Sequence, residues 1–207
     1  MPFIKRNATS PSAGQKPDGG LEAHFAALSS TDVEARWSAA RALGSRAEAV
    51  PALSAVLSVE QVPRVQEAIM TALMRIGDQA SVFVLLPYLR SRDAGQRATA
   101  IEALQALPEK IMPFMTSLFG DSDTDVRILA TELARNMPAK DATRVLCRLL
   151  ENEQHPNVCA AAVDVLAEVG TRDAVPTLNA CAERFSNTPF LPFAVSTAIA
   201  RISDAES

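Results

Sequence analysis

Residues 120–137, GDSDTDVRILATELARNM, hold the pattern that decides the fold. An acidic turn leads into the pair Val126-Arg127, and apolar residues follow at helical spacing. Weaker copies recur along the chain, and aligning them gives one column: Ala35, Val65, Gln96, Val126, Val158 and Leu191. Adjacent members of this column are 30 to 33 residues apart. A nearly constant period of this length is typical of a repeat array whose units each hold two helices.

Apolar residues stand four, seven and eight positions after most members of the column, which is the spacing of one helix face. This stripe predicts the second helix of each unit. The segments between predict the first helices, at residues 21–28, 49–57, 81–89, 110–119, 142–150 and 174–185. Pro87 lies deep in its segment and predicts a kink or an early end. Gly44, Gly77, Gly120 and Gly170 predict left-handed residues at helix ends.

The predicted fold is therefore an all-α, right-handed solenoid of about six antiparallel helix pairs. Residues 1–20 are rich in Pro, Gly and Ser and lack helical periodicity, so we expect a disordered tail. Residues 21–207 then form one domain.

Charge and composition limit the classes of partner that the chain can bind and the compartment in which it works. The net charge of −4 and the sequence pI of 5.3 argue against nucleic acid, because binding to a phosphate backbone needs clustered Lys and Arg. The three cysteines stand well apart, which disfavours a disulfide framework and fits a reducing compartment. No apolar run is long enough to span a membrane. We expect a cytoplasmic protein.

The repeat unit resembles a known family. Asp123-Thr124-Asp125-Val126-Arg127 matches Asp-x-x-Val-Arg, the opening of the second helix in the short bacterial HEAT-like repeats named after phycobilisome lyases. Residues 32–36 nearly match, and Asp93 and Arg97 keep the charged pair, whereas the second, fifth and sixth units depart from the pattern. The resemblance covers residues 21–202. It implies an α-solenoid and carries no single activity with it.

The charged pair of the repeat has a structural explanation. Asp32, Asp93 and Asp123 precede their helices, where a carboxylate accepts hydrogen bonds from free backbone N–H groups. Arg36, Arg97 and Arg127 recur one position after the column. We expect these arginines to pair with acidic side chains of adjacent turns and to brace successive units.

Metal and cofactor sites are not expected. Asp121, Asp123 and Asp125 imitate the start of a calcium loop, but Val126 stands where such a loop needs Gly. His155 and Cys159 are four residues apart, yet Pro156 favours a turn at His155 and no close cysteine pair exists. The chain has two histidines, too few for the His-Glu iron site of HEAT-repeat hydroxylases.

The remaining candidate is a surface on the second helices, which line the concave side of such a solenoid. Glu102, Glu132, Asp164 and Glu168 predict an acidic stripe that attracts a basic helix or peptide. The alternative is an ordinary solvated helix face. We expect Phe185, Phe190 and Phe193 in the last unit to fill its core.

The predicted function is a non-enzymatic scaffold or regulatory adaptor that binds another protein in its concave groove. The repeat family's name suggests an alternative, a bilin lyase-like protein that handles a chromophore. A HEAT-like DNA glycosylase is the third reading, and the acidic pI and single tryptophan argue against it.

Overall fold

The computed structural model describes residues 19–205, and all regular secondary structure in this range is helical. The α-helices are α1 (Gly19–Ala27), α2 (Val33–Ala42), α3 (Val50–Leu57), α4 (Pro63–Ile76), α5 (Gln79–Leu85), α6 (Ala94–Gln105), α7 (Pro108–Ile111), α8 (Met115–Phe119), α9 (Thr124–Leu133), α10 (Ala139–Asn152), α11 (Pro156–Val169), α12 (Val175–Arg184) and α13 (Phe190–Ala205). Residues 1–18 of the predicted tail lie outside this range. No helix within the described chain is both long enough and apolar enough to cross a membrane.

The helices form six pairs arranged in two layers, and α7 and α8 together are the first member of the fourth pair. The second helices α2, α4, α6, α9, α11 and α13 contact one another in sequence, and most of these contacts are more extensive than those between successive first helices. The second helices therefore form the inner layer of the array, where neighbouring units lie closer together. This architecture confirms the predicted all-α solenoid of six helix pairs.

The core follows the repeat column. The residues four positions after each column member are all buried: Ala39, Ile69, Ala100, Ala130, Ala162 and Val195. Alanine at four of these six places lets neighbouring inner helices approach closely, and burial of the larger aliphatic residues supplies the hydrophobic stabilisation.

The first helices are less regular because proline interrupts them. Helix α5 ends at Leu85, and residues 86–90 continue as a 3₁₀ helix that contains Pro87, as the sequence predicts. One helix was predicted at residues 110–119. Pro113 lies in a 3₁₀ turn between α7 and α8, so the outer layer of the fourth unit is broken in two.

Only one of the four glycines predicted to be left-handed has that conformation. Gly77 ends α4 with φ 63°. The prediction is wrong for Gly44, Gly120 and Gly170, since Gly77 is the single residue with positive φ in the described chain. Gly44 instead lies in a tightly packed place, since a Cβ there would be 3.3 Å from the Cα of Ala72.

The last unit leaves aromatic side chains uncovered. Phe190 is 48% exposed and Phe193 is 74% exposed, so the prediction that they fill the core is wrong. Phe185 is partly buried and packs against the core. Among the described residues no neighbouring helix pair follows α13, and this terminal unit therefore keeps an apolar outer surface.

Candidate functional site

Three aspartates hold the N-termini of inner helices. Asp32, Asp93 and Asp123 occupy the N-cap positions of α2, α6 and α9, and their carboxylates accept hydrogen bonds from the backbone N–H groups of Glu34, Gln96 and Asp125. Each bond satisfies a donor that the first helical turn cannot. Asp123 is thus occupied by capping, and Asp121 accepts from the Asp123 N–H and pairs with Arg90.

The three arginines that follow the repeat column make the same kind of contact, each within its own unit. Arg36, Arg97 and Arg127 each donate from Nη1 to the backbone carbonyl six residues earlier, which belongs to Ser30, Ser91 and Asp121 respectively. Two of the three also reach the next unit. Arg36 Nε lies 2.7 Å from a Glu60 carboxylate oxygen, and Arg127 Nε lies 2.7 Å from a Glu153 carboxylate oxygen.

Glu60 and Glu153 were not singled out from the sequence. Each stands five residues before its column member in a unit that lacks the capping aspartate, within the motif Glu-Gln-x-Pro. Oε1 of Glu60 accepts from the backbone N–H groups of Gln61 and Val62. Oε1 of Glu153 accepts in the same way from Gln154 and His155. The repeated motif at residues 60–63 and 153–156 was the available signal.

These contacts stabilise the charged form of both carboxylates. The Arg36 guanidinium and the backbone donors hold the pKa of Glu60 below its ordinary value, against the opposing effect of burial. Burial raises the pKa of Glu153, but Arg127 and the backbone donors outweigh it, so the net shift is also downward. Both groups therefore stay ionised in the turns that precede α4 and α11, where they accept from backbone N–H groups of the turn.

The four carboxylates of the predicted acidic stripe are not equivalent. Arg135 contacts carboxylates of Glu132 at 2.9 Å and of Asp164 at 3.1 Å, and it also pairs with Glu168. These contacts raise the pKa of Arg135. Glu102 is exposed, and no ion pair joins it to a described residue. The stripe as a binding surface stays a prediction, and Arg135 neutralises much of its charge.

A basic and aromatic cluster lies on α2 and α4, in the first two units of the inner layer. The guanidinium carbon of Arg41 is 4.5 Å from the centroid of the Trp37 ring, and that of Arg64 is 4.3 Å away. Both distances are within the range of cation–π contacts. With Arg75, these side chains border a hollow of about 390 Å³ between α2 and α4. We call this feature the Trp37 hollow.

A larger cavity, of about 560 Å³, opens in the outer layer between α8 and α10. Its apolar lining comes from Met112, Met115, Phe119, Val145 and Leu149. Arg144 and Arg148 are exposed and stand one helical turn apart at its edge. The volume is within the usual ligand range of about 300–1,000 Å³, and the lining combines apolar walls with two arginines and the carboxylate of Glu153.

The thiols of Cys159 and Cys181 contact each other, and this contact lowers the pKa of Cys181 while it raises that of Cys159. Cys159 and Cys181 are buried and free. A hydrogen bond with the Cys181 thiol, together with burial, raises the pKa of the Cys159 thiol, which keeps it protonated. Across residues 19–205, no three His, Cys, Asp or Glu side chains cluster in a way that suits a metal ion.

Comparison with known families gives one match, to the sequence pattern described as HEAT repeats, over residues 21–105 and 111–190. Among curated proteins, the Bilin biosynthesis protein PecE of Mastigocladus laminosus is 33% identical over 152 residues. The alignment covers 69% of this chain and 54% of PecE, so the chain spans about half the length of this relative.

Two solved structures resemble the whole array. The archaeal HEAT-like repeats protein from Thermococcus onnurineus NA1 aligns with a TM-score of 0.51 at 16% identity, covering 90% of this chain and 88% of that one. The complex of CpcE and CpcF of phycocyanin lyase from Nostoc sp. PCC7120 aligns with a TM-score of 0.44 at 20% identity, covering 96% and 98%. The archaeal structure supports the fold alone.

The comparison contradicts one prediction made from the sequence. The chain was expected not to be an enzyme, yet the curated relative that aligns with 69% of its length is a protein of bilin biosynthesis. The prediction rested on the absence of a catalytic metal site such as the His-Glu iron site of HEAT-repeat hydroxylases. Such an absence says little about whether a repeat protein is an enzyme, because its functional groups come from separate units and leave no short motif.

Proposed function

The chain belongs to the HEAT-repeat family, and from this premise we propose that it is a lyase-type protein that handles a bilin together with a protein partner. Its predicted resemblance to phycobilisome-lyase-type HEAT-like proteins is confirmed by the match to PecE. The proposal rests on one observation, the 33% identity over 152 residues with a bilin biosynthesis protein.

The outer cavity supports this proposal. A bilin is a flexible chain of four pyrrole rings with two propionate groups, so its site needs apolar walls and cationic groups at one edge. The methionine, phenylalanine and aliphatic side chains between α8 and α10 supply such walls. Arg148 has no ion pair with a described residue and is available to a propionate, whereas Arg144 contacts Asp141 at 2.5 Å.

The protein partner is a second part of the proposal. The exposed Phe190 and Phe193 give the last unit an apolar surface of the kind that subunit contacts cover. For the concave side we propose that a basic helix or peptide of the partner binds the acidic stripe of Glu102, Glu132, Asp164 and Glu168. We place this function in the cytoplasm. General scaffolding is compatible with all of these features.

Titration with phycocyanobilin tests the proposal. We expect the wild-type chain to produce a saturable shift in the visible absorbance of the pigment. Arg148→Glu places a negative charge at the edge of the cavity and should weaken binding about tenfold. The matched control is Arg92→Glu, at an exposed arginine outside the cavity. If the wild-type chain causes no change in absorbance even at a large excess of pigment, the proposal that it handles a bilin is wrong.

A further inference from the structure

We propose that the Trp37 hollow binds a carboxylate-rich segment of a protein partner, lying along the furrow between α2 and α4. This site is on the inner layer, whereas the outer cavity that supports bilin handling lies between α8 and α10. The proposal therefore stands without the bilin proposal.

The first argument is the excess of positive over negative charge around the hollow. The hollow is bordered by Arg41, Arg64 and Arg75, and Glu67 is the one carboxylate among its lining residues. Glu34 pairs with Arg64. Arg41 and Arg75 have no ion pair with any residue in the described chain. Like charges held together repel one another, and a bound anion relieves that repulsion.

The second argument is preorganisation. Arg41 and Arg64 both pack on Trp37, which restricts two otherwise flexible side chains before any ligand arrives. Gly44 lies beside Arg75, since a Cβ at Gly44 would be 3.4 Å from the Arg75 Cδ. A fixed set of guanidinium groups is well suited to carboxylates, which accept two parallel hydrogen bonds.

The third argument is the shape of the hollow, which favours a chain over a single small anion. Arg64 and Arg75 stand eleven residues apart on α4, which corresponds to about 16 Å along the helix axis. An extended peptide covers this distance with about five residues. The floor between the arginines consists of the small residues Ala68, Thr71 and Ala72, which leave room for a backbone.

The lining also argues against a bilin at this place. Apart from Trp37, which already carries two guanidinium groups, the hollow has no large apolar side chain. Four conjugated rings would find little apolar surface here. The methionine and phenylalanine walls of the outer cavity have no counterpart in the Trp37 hollow.

The chain contains its own reporter for this site, because Trp37 is its single tryptophan. The probe is a synthetic hexaglutamate peptide, titrated at low ionic strength while tryptophan emission is recorded. We expect a saturable change in emission that weakens as sodium chloride is added, since screening reduces attraction between exposed charges. Anisotropy of a labelled hexaglutamate gives an independent measure of binding.

Two variants decide whether the hollow is responsible. Arg75→Glu leaves the contacts of Trp37 in place and should weaken hexaglutamate binding by more than about tenfold, with the milder Arg75→Gln in between. Arg92→Glu changes the same charge on an exposed loop and should leave binding unchanged. Circular dichroism checks that each variant keeps its helices. Equal binding by Arg75→Glu and wild type, or no saturable binding by the wild type, overturns the proposal.

Three further probes separate the possible sources of the negative charge. Hexalysine should produce no saturable change. If inorganic phosphate changes the tryptophan emission as much as hexaglutamate does at an equal concentration of charge, the site binds free anions. If a single-stranded oligonucleotide binds more tightly than hexaglutamate, the site binds nucleic acid. Either of these two results overturns the assignment to an acidic protein segment.

Discussion

Arg97 and Arg127 occupy the same position in successive units, but they do different work. Both donate to the carbonyl that begins their own turn. Arg127 also neutralises Glu153, a carboxylate whose side chain is 7% exposed. A buried charge that loses its partner is destabilising in a way that an exposed charge is not. The identity of the residue therefore does not fix its contribution to stability.

Replacement of these two arginines by alanine tests that difference. We expect Arg127→Ala to lower the free energy of unfolding by about 2–3 kcal/mol, because Glu153 keeps its charge and loses the guanidinium. Arg97→Ala removes one hydrogen bond to a carbonyl and should cost about 1 kcal/mol. Urea unfolding followed by circular dichroism measures both. Equal losses would show that the ion pair with Glu153 adds nothing.

The repeat column made some of these residues predictable and hid others. Asp32 and Arg36 stand at fixed offsets from the column, so their places at a helix start followed from the register. Glu60 belongs to the turn before α4, in a unit where the Asp-x-x-Val-Arg pattern fails, and only the Glu-Gln-x-Pro motif that it shares with Glu153 could have pointed to it. Arg64 precedes its column member by one residue, and its contact with Trp37 depends on how α2 packs on α4. Contacts between units are set by packing, which a period does not encode.

At the level of helices, the inner layer is regular and the outer layer is not. The inner helices were predictable because the residues at positions four, seven and eight are buried in nearly every unit, with Ala42 and Ile199 as the exceptions. Pro113 shows the limit for the outer helices. A proline is accepted in the first turn of a helix, but it also ends one, and the residues around it do not decide between the two outcomes. In the fourth unit the chain turns within a 3₁₀ segment at Pro113.

The end of α4 allows a direct test of backbone conformation. Gly77 has φ 63°, and a Cβ there would lie 3.1 Å from the Cδ2 of Leu107. We expect Gly77→Ala to lower the free energy of unfolding by about 1–2 kcal/mol, from left-handed strain and from displacement of Leu107. Gly120→Ala is the control, since its φ is −90° and its nearest contact is 3.5 Å. A melting temperature that falls equally for both variants would contradict this account.

Across the whole molecule, charge is distributed unevenly along the inner layer. Arg41 and Arg75, which have no ion pair within the described chain, lie near Trp37 in the first two units. In the fourth and fifth units, Arg135 instead joins three carboxylates from α9 and α11. The net charge of −4 conceals this polarity. A partner that follows the groove therefore meets a basic end and a largely neutralised centre.

The role of Arg135 predicts an unusual dependence on salt. Arg135→Met leaves Glu132, Asp164 and Glu168 close together without a cation, and we expect a loss of about 1–2 kcal/mol in unfolding free energy at low salt. In 1 M sodium chloride the loss should fall to less than half, because the Debye length shrinks to about 3 Å. Arg92→Met serves as the control and should show little loss at either concentration. A loss that is independent of salt would mean that Arg135 acts through packing.

The bond between each column arginine and the glutamate of the following unit limits how such an array can be recombined. Units two and five carry no aspartate cap, and the glutamate in the turn before their inner helix is neutralised by Arg36 or Arg127 of the unit before. If either unit were moved behind one that lacks this arginine, its glutamate would lose the cation that balances it. The smallest transferable module in these parts of the chain is therefore two consecutive units, in fixed order.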